Sequence, residues 1–201
     1  MFYGPEERSG VSAIVLAAGT STRMGTLKQL LTLRGKPLLQ HVLDNLRGAQ
    51  VDEIVLVLGS AADQIQRQIS FDSVQVAINE AYRDGMGSSL RTGIGCVASK
   101  TEAVIIVLGD QPFVRTETIN RLISEYREKK PQIVIPVYGG SRGNPVLIDR
   151  SIFPELMELS GDTGCRAVFE KYPNSILRVA VDDPGVLFDL DTPDDFEKAG
   201  S

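Results

Sequence analysis

A segment rich in small residues joins an apolar, strand-like run to two cationic side chains. From Ile14 to Lys28 the sequence reads IVLAAGTSTRMGTLK. Gly19 and Gly25 allow backbone torsions closed to other residues, so several N–H groups between them can turn towards an anion. Arg23 can bind two phosphate oxygens at once, and Lys28 supplies a compact positive charge. The segment therefore predicts a triphosphate-binding loop.

Spacing separates this loop from two other phosphate-binding loops. A Walker A loop carries Gly-Lys-Ser/Thr after its last variable stretch, whereas Gly25 is followed by Thr26 and Leu27. A dinucleotide fingerprint places a second glycine two residues after the first, and that position is Ser21. The spacing thus disfavours a P-loop NTPase and a hydride-transfer enzyme. An ordinary strand-to-helix connection remains the structural alternative.

Two acidic segments are the candidates for binding a metal ion. The apolar run Val104–Gly109 ends in Asp110, which places a carboxylate at the carboxyl end of a predicted central strand. There Mg²⁺ shared with substrate phosphates would stabilise it, although a turn or helix cap is the alternative. Near the end of the chain, Asp189 and Asp191 would share one face of any strand they occupy. A metal ion would relieve the repulsion between these two carboxylates.

These residue types together predict nucleotidyl transfer. With Mg²⁺ on the phosphates and Lys28 on the α-phosphate, an incoming phosphate monoester could attack in line and expel pyrophosphate. The second pKa of such a monoester is about 6, so no strong general base is needed. His41, the only histidine of the chain, lies in a predicted helix and is expected to be structural.

Alternation of short apolar runs with amphipathic segments predicts an α/β fold. Continuous apolar strands separated by helices imply a parallel sheet covered on both faces, with ligands beyond the carboxyl ends of its strands. The loop from Gly19 to Lys28 follows the first strand and should therefore lie at that edge. The predicted strands are 11–18, 53–58, 73–78, 103–108 and 132–137, and the predicted helices are 36–46, 61–69, 88–97 and 117–129.

The second half of the chain is less regular. A turn-rich stretch, 138–145, precedes a short strand at 146–148, and helices are predicted at 152–159 and 165–172. Late strands are predicted at 176–181 and 185–190. Pro193 should open a last helix, with Thr192 as its cap and Asp194 and Asp195 in its first turn.

Composition narrows the function classes. The 201 residues carry a formal net charge of −5 and are 42% hydrophobic, which predicts one domain, 11–201, and argues against a nucleic-acid-binding or acidic-membrane-binding surface. Residues 1–10 are polar and are expected to be a loosely ordered leader rather than a signal peptide, and no apolar run approaches the length of a membrane span. Cys96 and Cys165 lie far apart, which fits two reduced thiols in the cytoplasm.

Three motifs together resemble those of the MobA-like nucleotidyltransferases, most closely the molybdenum cofactor (molybdopterin) cytidylyltransferases. They are Leu16-Ala-Ala-Gly-x-Ser-x-Arg-Met-Gly-x-x-Lys28, Gly109-Asp-Gln-Pro112 and Asp189-x-Asp-Thr-Pro193. Leu-Ala-Ala-Gly resembles the cytidylyl branch, whereas the guanylyl branch usually carries Leu-Ala-Gly-Gly. The resemblance implies a three-layer α/β/α fold with a Rossmann-like, mostly parallel sheet of the nucleotide-diphospho-sugar transferase type.

The same resemblance implies an activity and its ligands. The enzyme would be a Mg²⁺-dependent cytidylyltransferase that moves CMP from CTP onto molybdopterin, with a molybdenum enzyme or chaperone as partner. Arg23, Lys28 and Asp110 would be catalytic, and Asp110 would bind Mg²⁺ with Asp191 and Asp189. The nucleotide-binding residues would be Ala17, Ala18, Gly19, Thr20, Ser21, Arg23, Gly25, Lys28, Ser88, Ser89 and Asp110. Without the resemblance, Ser88 and Ser89 could equally cap the helix that follows them.

The predicted acceptor side departs from the family pattern at one position. The segment Arg142, Gly143, Asn144 and Pro145 corresponds to a family Gly-His-Pro motif, with Asn144 where histidine is usual. A second segment, 161–166, places Arg166 either on the acceptor phosphate or beside Asp162. Asn144 leaves the identity of the acceptor open. The alternative with the same chemistry uses GTP, or a sugar phosphate or another small phosphorylated acceptor. A non-catalytic nucleotide-binding regulatory module is the alternative of another class.

Overall fold

The computed structural model describes residues 10–19, 27–59, 61–190, 192 and 195–196. Several sequence predictions lie outside these residues. They concern the leader up to residue 9, the loop residues Thr20, Ser21, Arg23 and Gly25, the acid Asp191, and Pro193 and Asp194 near the end of the chain.

Ten strands and six α-helices alternate along the described residues. The strands are β1 (Gly10–Ala17), β2 (Thr32–Leu33), β3 (Lys36–Pro37), β4 (Glu53–Leu58), β5 (Gln75–Ile78), β6 (Thr101–Leu108), β7 (Ile133–Tyr138), β8 (Ser141–Arg142), β9 (Val146–Asp149) and β10 (Ile176–Ala180). The helices are α1 (Leu38–Arg47), α2 (Ala62–Gln66), α3 (Met86–Cys96), α4 (Thr116–Lys129), α5 (Phe153–Met157) and α6 (Arg166–Phe169).

The main sheet is mostly parallel, as the continuous apolar strands predicted. Its order is β10-β7-β9-β6-β1-β4-β5, with β8 paired to β7. In the centre, β1 is parallel to both neighbours, and Val15 lies opposite Leu56 on one side and Val107 on the other. Only β9 and β8 run antiparallel to their neighbours within the described part of the sheet. The carboxyl ends of β1, β4, β6, β7 and β10 therefore meet at one edge.

Helices cover both faces of the sheet and complete three layers. Val11, Ala13 and Val15 of β1 point to the face on which α1, α2 and α4 pack. Ile14, between them, points to the opposite face, which carries α3, α5 and α6. Because side chains alternate along a strand, each central strand is buried on both sides. The predicted three-layer α/β/α fold is confirmed.

A short hairpin corrects the predicted start of the first helix. Lys36 and Pro37 were expected inside the helix, but they pair antiparallel with Leu33 and Thr32. Between them, Arg34 and Gly35 both have positive φ, 49° and 82°, as the tightest hairpin turns require. Since the hairpin includes Pro37, α1 begins only at Leu38.

The predicted strand 185–190 is wrong. Pro184 to Leu187 form a short 3-10 helix, and residues 188–190 belong to no strand. The carboxylate of Asp183 accepts a hydrogen bond from the N–H of Gly185 at 3.0 Å and so closes a turn around Pro184. Turn-forming residues at the start of the segment outweigh its apolar character.

No helix among the described residues is both long enough and apolar enough to cross a lipid bilayer.

Candidate active site

The loops that follow β1 and β6 meet at the carboxyl edge of the sheet, where they bring Lys28 and Asp110 together. The Nζ atom of Lys28 lies 2.9 Å from Oδ2 of Asp110, and the Lys28 side chain is only 11% exposed. The adjacent strands are held together up to this point, since the N–H of Gly109 donates to the carbonyl of Leu16 at 2.9 Å. A Cβ atom at position 109 would lie 2.9 Å from the Cβ of Ala17, so the close approach requires glycine.

The second carboxylate oxygen of Asp110 has an unusual environment. Oδ1 is buried and has no hydrogen-bond partner among the described residues. A buried carboxylate oxygen without a partner is costly, and an oxygen-preferring divalent cation would satisfy it. No group of three or more His, Cys, Asp or Glu side chains that could hold a metal ion occurs among the described residues. Mg²⁺ fits this setting, because it is usually bound by one or two carboxylates together with substrate phosphates.

The second acidic segment lies beside Asp110. The N–H of Leu190 donates to the backbone carbonyl of Asp110 at 3.1 Å. Next to it, Nε2 of Gln111 donates to Oδ1 of Asp189 at 2.6 Å. The family resemblance implied that Asp189 and Asp110 lie close together, and they do. The shared strand face suggested for Asp189 and Asp191 does not apply to Asp189, which is not part of a strand, and Asp191 lies outside the described residues.

Asp183, which the sequence analysis missed, anchors this acidic segment. Its side chain is 3% exposed, and Oδ2 accepts hydrogen bonds from the N–H of Arg115 at 3.0 Å and the hydroxyl of Thr118 at 2.6 Å. A Cβ atom at Gly185 would lie 2.3 Å from the carbonyl oxygen of Phe113, so the two loops are in direct backbone contact. The contacts attach the segment from 183 to 190 to the start of α4, and thus to the loop after Asp110.

Gln29 is a second residue that the sequence analysis missed. Its side chain is buried, and Nε2 donates to the carbonyl oxygens of Ala17 at 2.9 Å and Gly19 at 3.3 Å. Ala17 and Ala18, two predicted nucleotide contacts, are almost fully buried at the end of β1, while Gly19 is exposed. Gln29 therefore holds the residues that follow the loop, beside Lys28, against the residues that precede it, Ala17 and Gly19.

Ser88 and Ser89 lie in the first turn of α3 and do not cap it. Gly85, with φ of +88°, is the residue before the helix. Both serines are buried, and Nδ2 of Asn79 donates to their hydroxyl oxygens at 2.8 and 3.0 Å. The Ser88 hydroxyl in turn donates to the carbonyl of Gly85 at 2.8 Å. The helix-cap alternative is therefore wrong, because Asn79 at the end of β5 orients both hydroxyl groups.

The segment before α6 packs against the start of α3. The N–H of Gly87 donates to the carbonyl of Gly161 at 3.0 Å, and a Cβ atom at Gly85 would lie 2.3 Å from the carbonyl carbon of Gly161. Arg91 adds a hydrogen bond from its guanidinium to the carbonyl of Leu159. The predicted base-and-ribose segment and the segment leading to Arg166 are thus in direct contact.

The structure brings the two predicted acceptor arginines into one pocket. Arg142 and Arg166 line a cavity of about 450 Å³, and Arg166 makes no ion pair with Asp162 in the described part of the chain. The intervening Gly143 and Asn144 are fixed through their backbone, since their N–H groups donate to Pro136 and Val186 at 2.9 Å each. Pro145 is buried and follows a cis peptide bond. The other lining residues are Ala167, Phe169, Glu170, Pro173, Ile176 and Arg178.

His41 and Cys165 take no part in this site. Nε2 of His41 is hydrogen-bonded to the carbonyl of Leu33 at 2.7 Å, which ties α1 to the hairpin, as a structural role requires. Burial raises the pKa of the Cys165 thiol to about 12, so it stays protonated at neutral pH. Both cysteines are free, as expected.

Comparisons with known proteins concern the family and the fold of the chain. Residues 13–176 match the family model of the MobA-like NTP transferase domain. The crystal structure of Rv0371c from Mycobacterium tuberculosis H37Rv is 32% identical, with a TM-score of 0.86 over 96% of this chain and 98% of that one. A manganese complex of Rv0371c is 30% identical, with a TM-score of 0.82 over 94% of this chain and 97% of that one.

Two curated relatives carry different names. Nicotine blue oxidoreductase from Paenarthrobacter nicotinovorans is 28% identical over 90% of this chain and 92% of its own length. A probable molybdenum cofactor guanylyltransferase from Natranaerobius thermophilus is 38% identical over 65% of this chain. The chain spans 62% of the length of that second relative.

Proposed function

The chain belongs to the MobA-like NTP transferase family, and on that premise we propose that this nucleotidyltransferase moves CMP from CTP onto a phosphorylated acceptor of the molybdopterin type. Pyrophosphate is the leaving group. The observation that carries the proposal is the 2.9 Å pair between Lys28 and Asp110, built where the adjacent strands β1 and β6 end. At this edge of the sheet, the cation can bind the phosphates of a nucleoside triphosphate, and the carboxylate can bind the metal ion that accompanies them.

Asp110 is the proposed ligand of Mg²⁺, with Asp191 and Asp189 as the second acidic position. Its buried Oδ1 atom supports this assignment, and so does the manganese complex of a related protein. When bound, Mg²⁺ supplies positive charge that offsets repulsion between phosphates, about 4 kcal/mol for two unit charges 4 Å apart at an effective dielectric constant of 20. Lys28 exchanges Asp110 for an α-phosphate oxygen and neutralises the charge that develops during substitution.

The remaining nucleotide contacts follow the family motif. Arg23 and the backbone from Ala17 to Gly25 bind the phosphates, and Gln29 holds the start of that segment in place. Ser88 and Ser89 contact the ribose or base from α3. Their hydroxyl groups are already oriented by Asn79, so little side-chain entropy is lost on binding.

The acceptor binds at the end of the sheet that carries Arg142 and Arg166. Two guanidinium groups in one cavity favour an anionic ligand. The backbone of Gly143 and Asn144 is hydrogen-bonded to β7 and to the segment that reaches Asp110, so the acceptor pocket is built on the same loops as the catalytic pair.

The direct test is pyrophosphate release from each of the four NTPs with Mg²⁺, with and without reduced molybdopterin. We expect release from CTP that depends on the acceptor and falls at least 100-fold in Asp110→Asn. Asp63→Asn makes the same substitution at an exposed carboxylate on α2 and should retain full activity. No pyrophosphate from any NTP, or wild-type turnover by Asp110→Asn, would refute the proposal.

Relatives of known name favour two other candidates. The Natranaerobius thermophilus relative favours GTP, and the same four-NTP panel decides between GTP and CTP. Exchange of molybdopterin for sugar phosphates tests the other acceptors. The Paenarthrobacter nicotinovorans relative favours an oxidoreductase, which would transfer hydride from NADH or NADPH to nicotine blue in parallel samples that lack NTP. CTP binding without any turnover would instead indicate a regulatory module.

A further inference from the structure

Three guanidinium groups, one more than the sequence predicted, line the acceptor pocket. Arg142 in β8, Arg166 in α6 and Arg178 in β10 border the cavity of about 450 Å³, whose described lining includes a single carboxylate, that of Glu170. Within the part of the chain that is described, none of the three arginines forms an ion pair. Such a concentration of positive charge is unexpected in a chain with a net charge of −5. It favours an anionic ligand.

Sheet geometry shows why the three arginines face the same cavity. Arg142 lies opposite Val137, and Arg178 lies beside Ile135. Residues paired across neighbouring strands point to the same face, and Ile135 packs on the face that carries α6. Phe169 of α6 closes the pocket, with the Arg142 guanidinium 5.8 Å from the centre of its ring. The pocket is therefore continuous from the carboxyl edge of the sheet down to β10.

The two ends of the pocket lie at different distances from Asp110. The carbonyl of Pro136 accepts from Gly143, whereas the next carbonyl, that of Val137, accepts from Val181. Because successive carbonyls of a strand point in opposite directions, β8 lies on the side of β7 that faces β6 and Asp110, and β10 lies on the other side. Three strand spacings, about 14 Å, separate β10 from β6. The strand that carries Arg178 is therefore farther from Asp110 than the strand that carries Arg142.

We propose that Arg142, Arg166 and Arg178 bind a second anionic group of the acceptor, remote from the phosphate that attacks CTP. The inference rests on the proposed function and specifies its acceptor as a molecule with a second anionic group besides the attacking phosphate. Arg178 determines specificity for this remote group, because its strand, β10, lies farther from β6 than β8 does. An acceptor with only the attacking phosphate leaves Arg178 unused.

Steady-state kinetics with reduced molybdopterin, which carries a dithiolate as a second anionic group besides its one phosphate, test this assignment. In Arg178→Gln we expect the KM for the acceptor to rise about tenfold, as for the loss of a charge-assisted hydrogen bond, while kcat and the KM for CTP change less than about twofold. The control is Arg121→Gln, which removes the same charge from an exposed position of α4 on the opposite face of the sheet. It should leave all three constants unchanged.

Phosphate binding provides a readout that needs no turnover. In a titration of wild-type protein with inorganic phosphate, followed through the arginine side-chain NMR signals, we expect the signals of Arg142, Arg166 and Arg178 to shift together. Arg178→Gln should weaken this binding, whereas Lys28→Ala should not. If no NTP is turned over but this pattern holds, the proposed function has failed and the anion pocket stands.

Three results would overturn the inference. An unchanged KM for the acceptor in Arg178→Gln, with weakened phosphate binding, would mean that the pocket serves an anion unrelated to the acceptor. An equal rise of the KM for the acceptor in Arg121→Gln and Arg178→Gln would mean that the total charge of the protein, not the pocket, causes the effect. Phosphate titrations that do not distinguish Arg178→Gln from wild type would remove the anion site itself.

Discussion

Lys28 is a partly buried cation whose described partner is a carboxylate, a pairing that a triphosphate can exchange. The Nζ to Oδ2 contact with Asp110 holds the ammonium group at the edge of the sheet before any substrate is bound. Such preorganisation lowers the cost of placing the charge where we propose that the α-phosphate reacts. The effect of Lys28 should therefore appear in the chemical step.

Lys28→Ala tests this role. We expect kcat to fall at least 100-fold and the KM for CTP to change much less, because the charge of Lys28 matters most as the α-phosphate approaches its transition state. Lys36→Ala is the matched control, since Lys36 also pairs with a carboxylate, that of Asp44 at 2.9 Å, but its side chain is 58% exposed. An effect confined to the KM would indicate uniform binding instead.

Functional residues were predictable where they belong to a sequence motif. They were not predictable where their role depends on a contact with a residue that is distant in the sequence. Lys28 and Asp110 belong to contiguous motifs, and the structure places them in contact. Gln29 contacts backbone carbonyls 10 and 12 positions away along the chain, and Asp183 contacts a backbone N–H and a threonine hydroxyl 68 and 65 positions away. Local sequence carries no signal for such contacts, since a glutamine or an aspartate is equally suited to an exposed surface.

Among the elements, α3, which begins with the predicted base-and-ribose segment, packs closely on the central strand β1. A Cβ atom at Gly93 would lie 2.5 Å from Cγ2 of Ile14, whereas one at Gly95 has nothing within 4 Å. We expect Gly93→Ala to reduce the free energy of unfolding by about 1–3 kcal/mol through overpacking. Gly95→Ala, in the same helix, should be neutral or raise it by up to about 1 kcal/mol. Urea unfolding measures both, and equal effects would contradict the close packing of α3 on β1.

Tyr126 links α4 to the edge of the sheet and makes stability depend on pH. Its hydroxyl donates to Oδ2 of Asp149 at 2.6 Å. Burial acts to raise the pKa of Asp149, but hydrogen bonds from Tyr126 and Ser151 outweigh it, so the net shift is downward. Because the pKa of Asp149 is lower in the folded than in the unfolded protein, its ionisation stabilises the fold at any pH above the unfolded-state pKa, about 3.9. This stabilisation is lost as the pH falls through the folded-state pKa.

Tyr126→Phe should therefore lower the free energy of unfolding by about 1–2 kcal/mol near neutral pH and by less near pH 3. Urea unfolding at the two pH values gives the comparison. Tyr138→Phe, which removes a hydroxyl from a half-buried tyrosine at the end of β7, is the control. A cost for Tyr126→Phe that is independent of pH would contradict the role of Asp149.

The elements themselves were largely predictable from apolar periodicity, with two instructive exceptions. The helix expected from Lys36 starts at Leu38, because a positive-φ turn at Arg34 and Gly35 makes a hairpin of the preceding residues. The strand expected from Gly185 is a 3-10 helix capped by Asp183. In both places turn chemistry overrides a pattern of apolar residues.

At the scale of the whole molecule, one sheet carries both proposed sites. The proposed nucleotide site lies at β1, β4 and β6, and the proposed acceptor site lies at β7, β8 and β10. Between them, β9 runs antiparallel, and its direction is not encoded in its apolar sequence. The pocket of Arg142 and Arg178 depends on the pairing of β8 and β10 with β7, which local sequence does not encode either, so Arg178 emerged only from the structure.

The central claim is that Lys28 and Asp110 form the centre at which a nucleoside triphosphate is substituted at its α-phosphorus. The most direct measurement is a crystal structure with CTP and Mn²⁺, in which the anomalous signal locates the metal ion. We predict Mn²⁺ in direct contact with the Asp110 carboxylate and Lys28 on the α-phosphate. A metal ion and triphosphate bound elsewhere, with the pair between Lys28 and Asp110 intact, would contradict the claim.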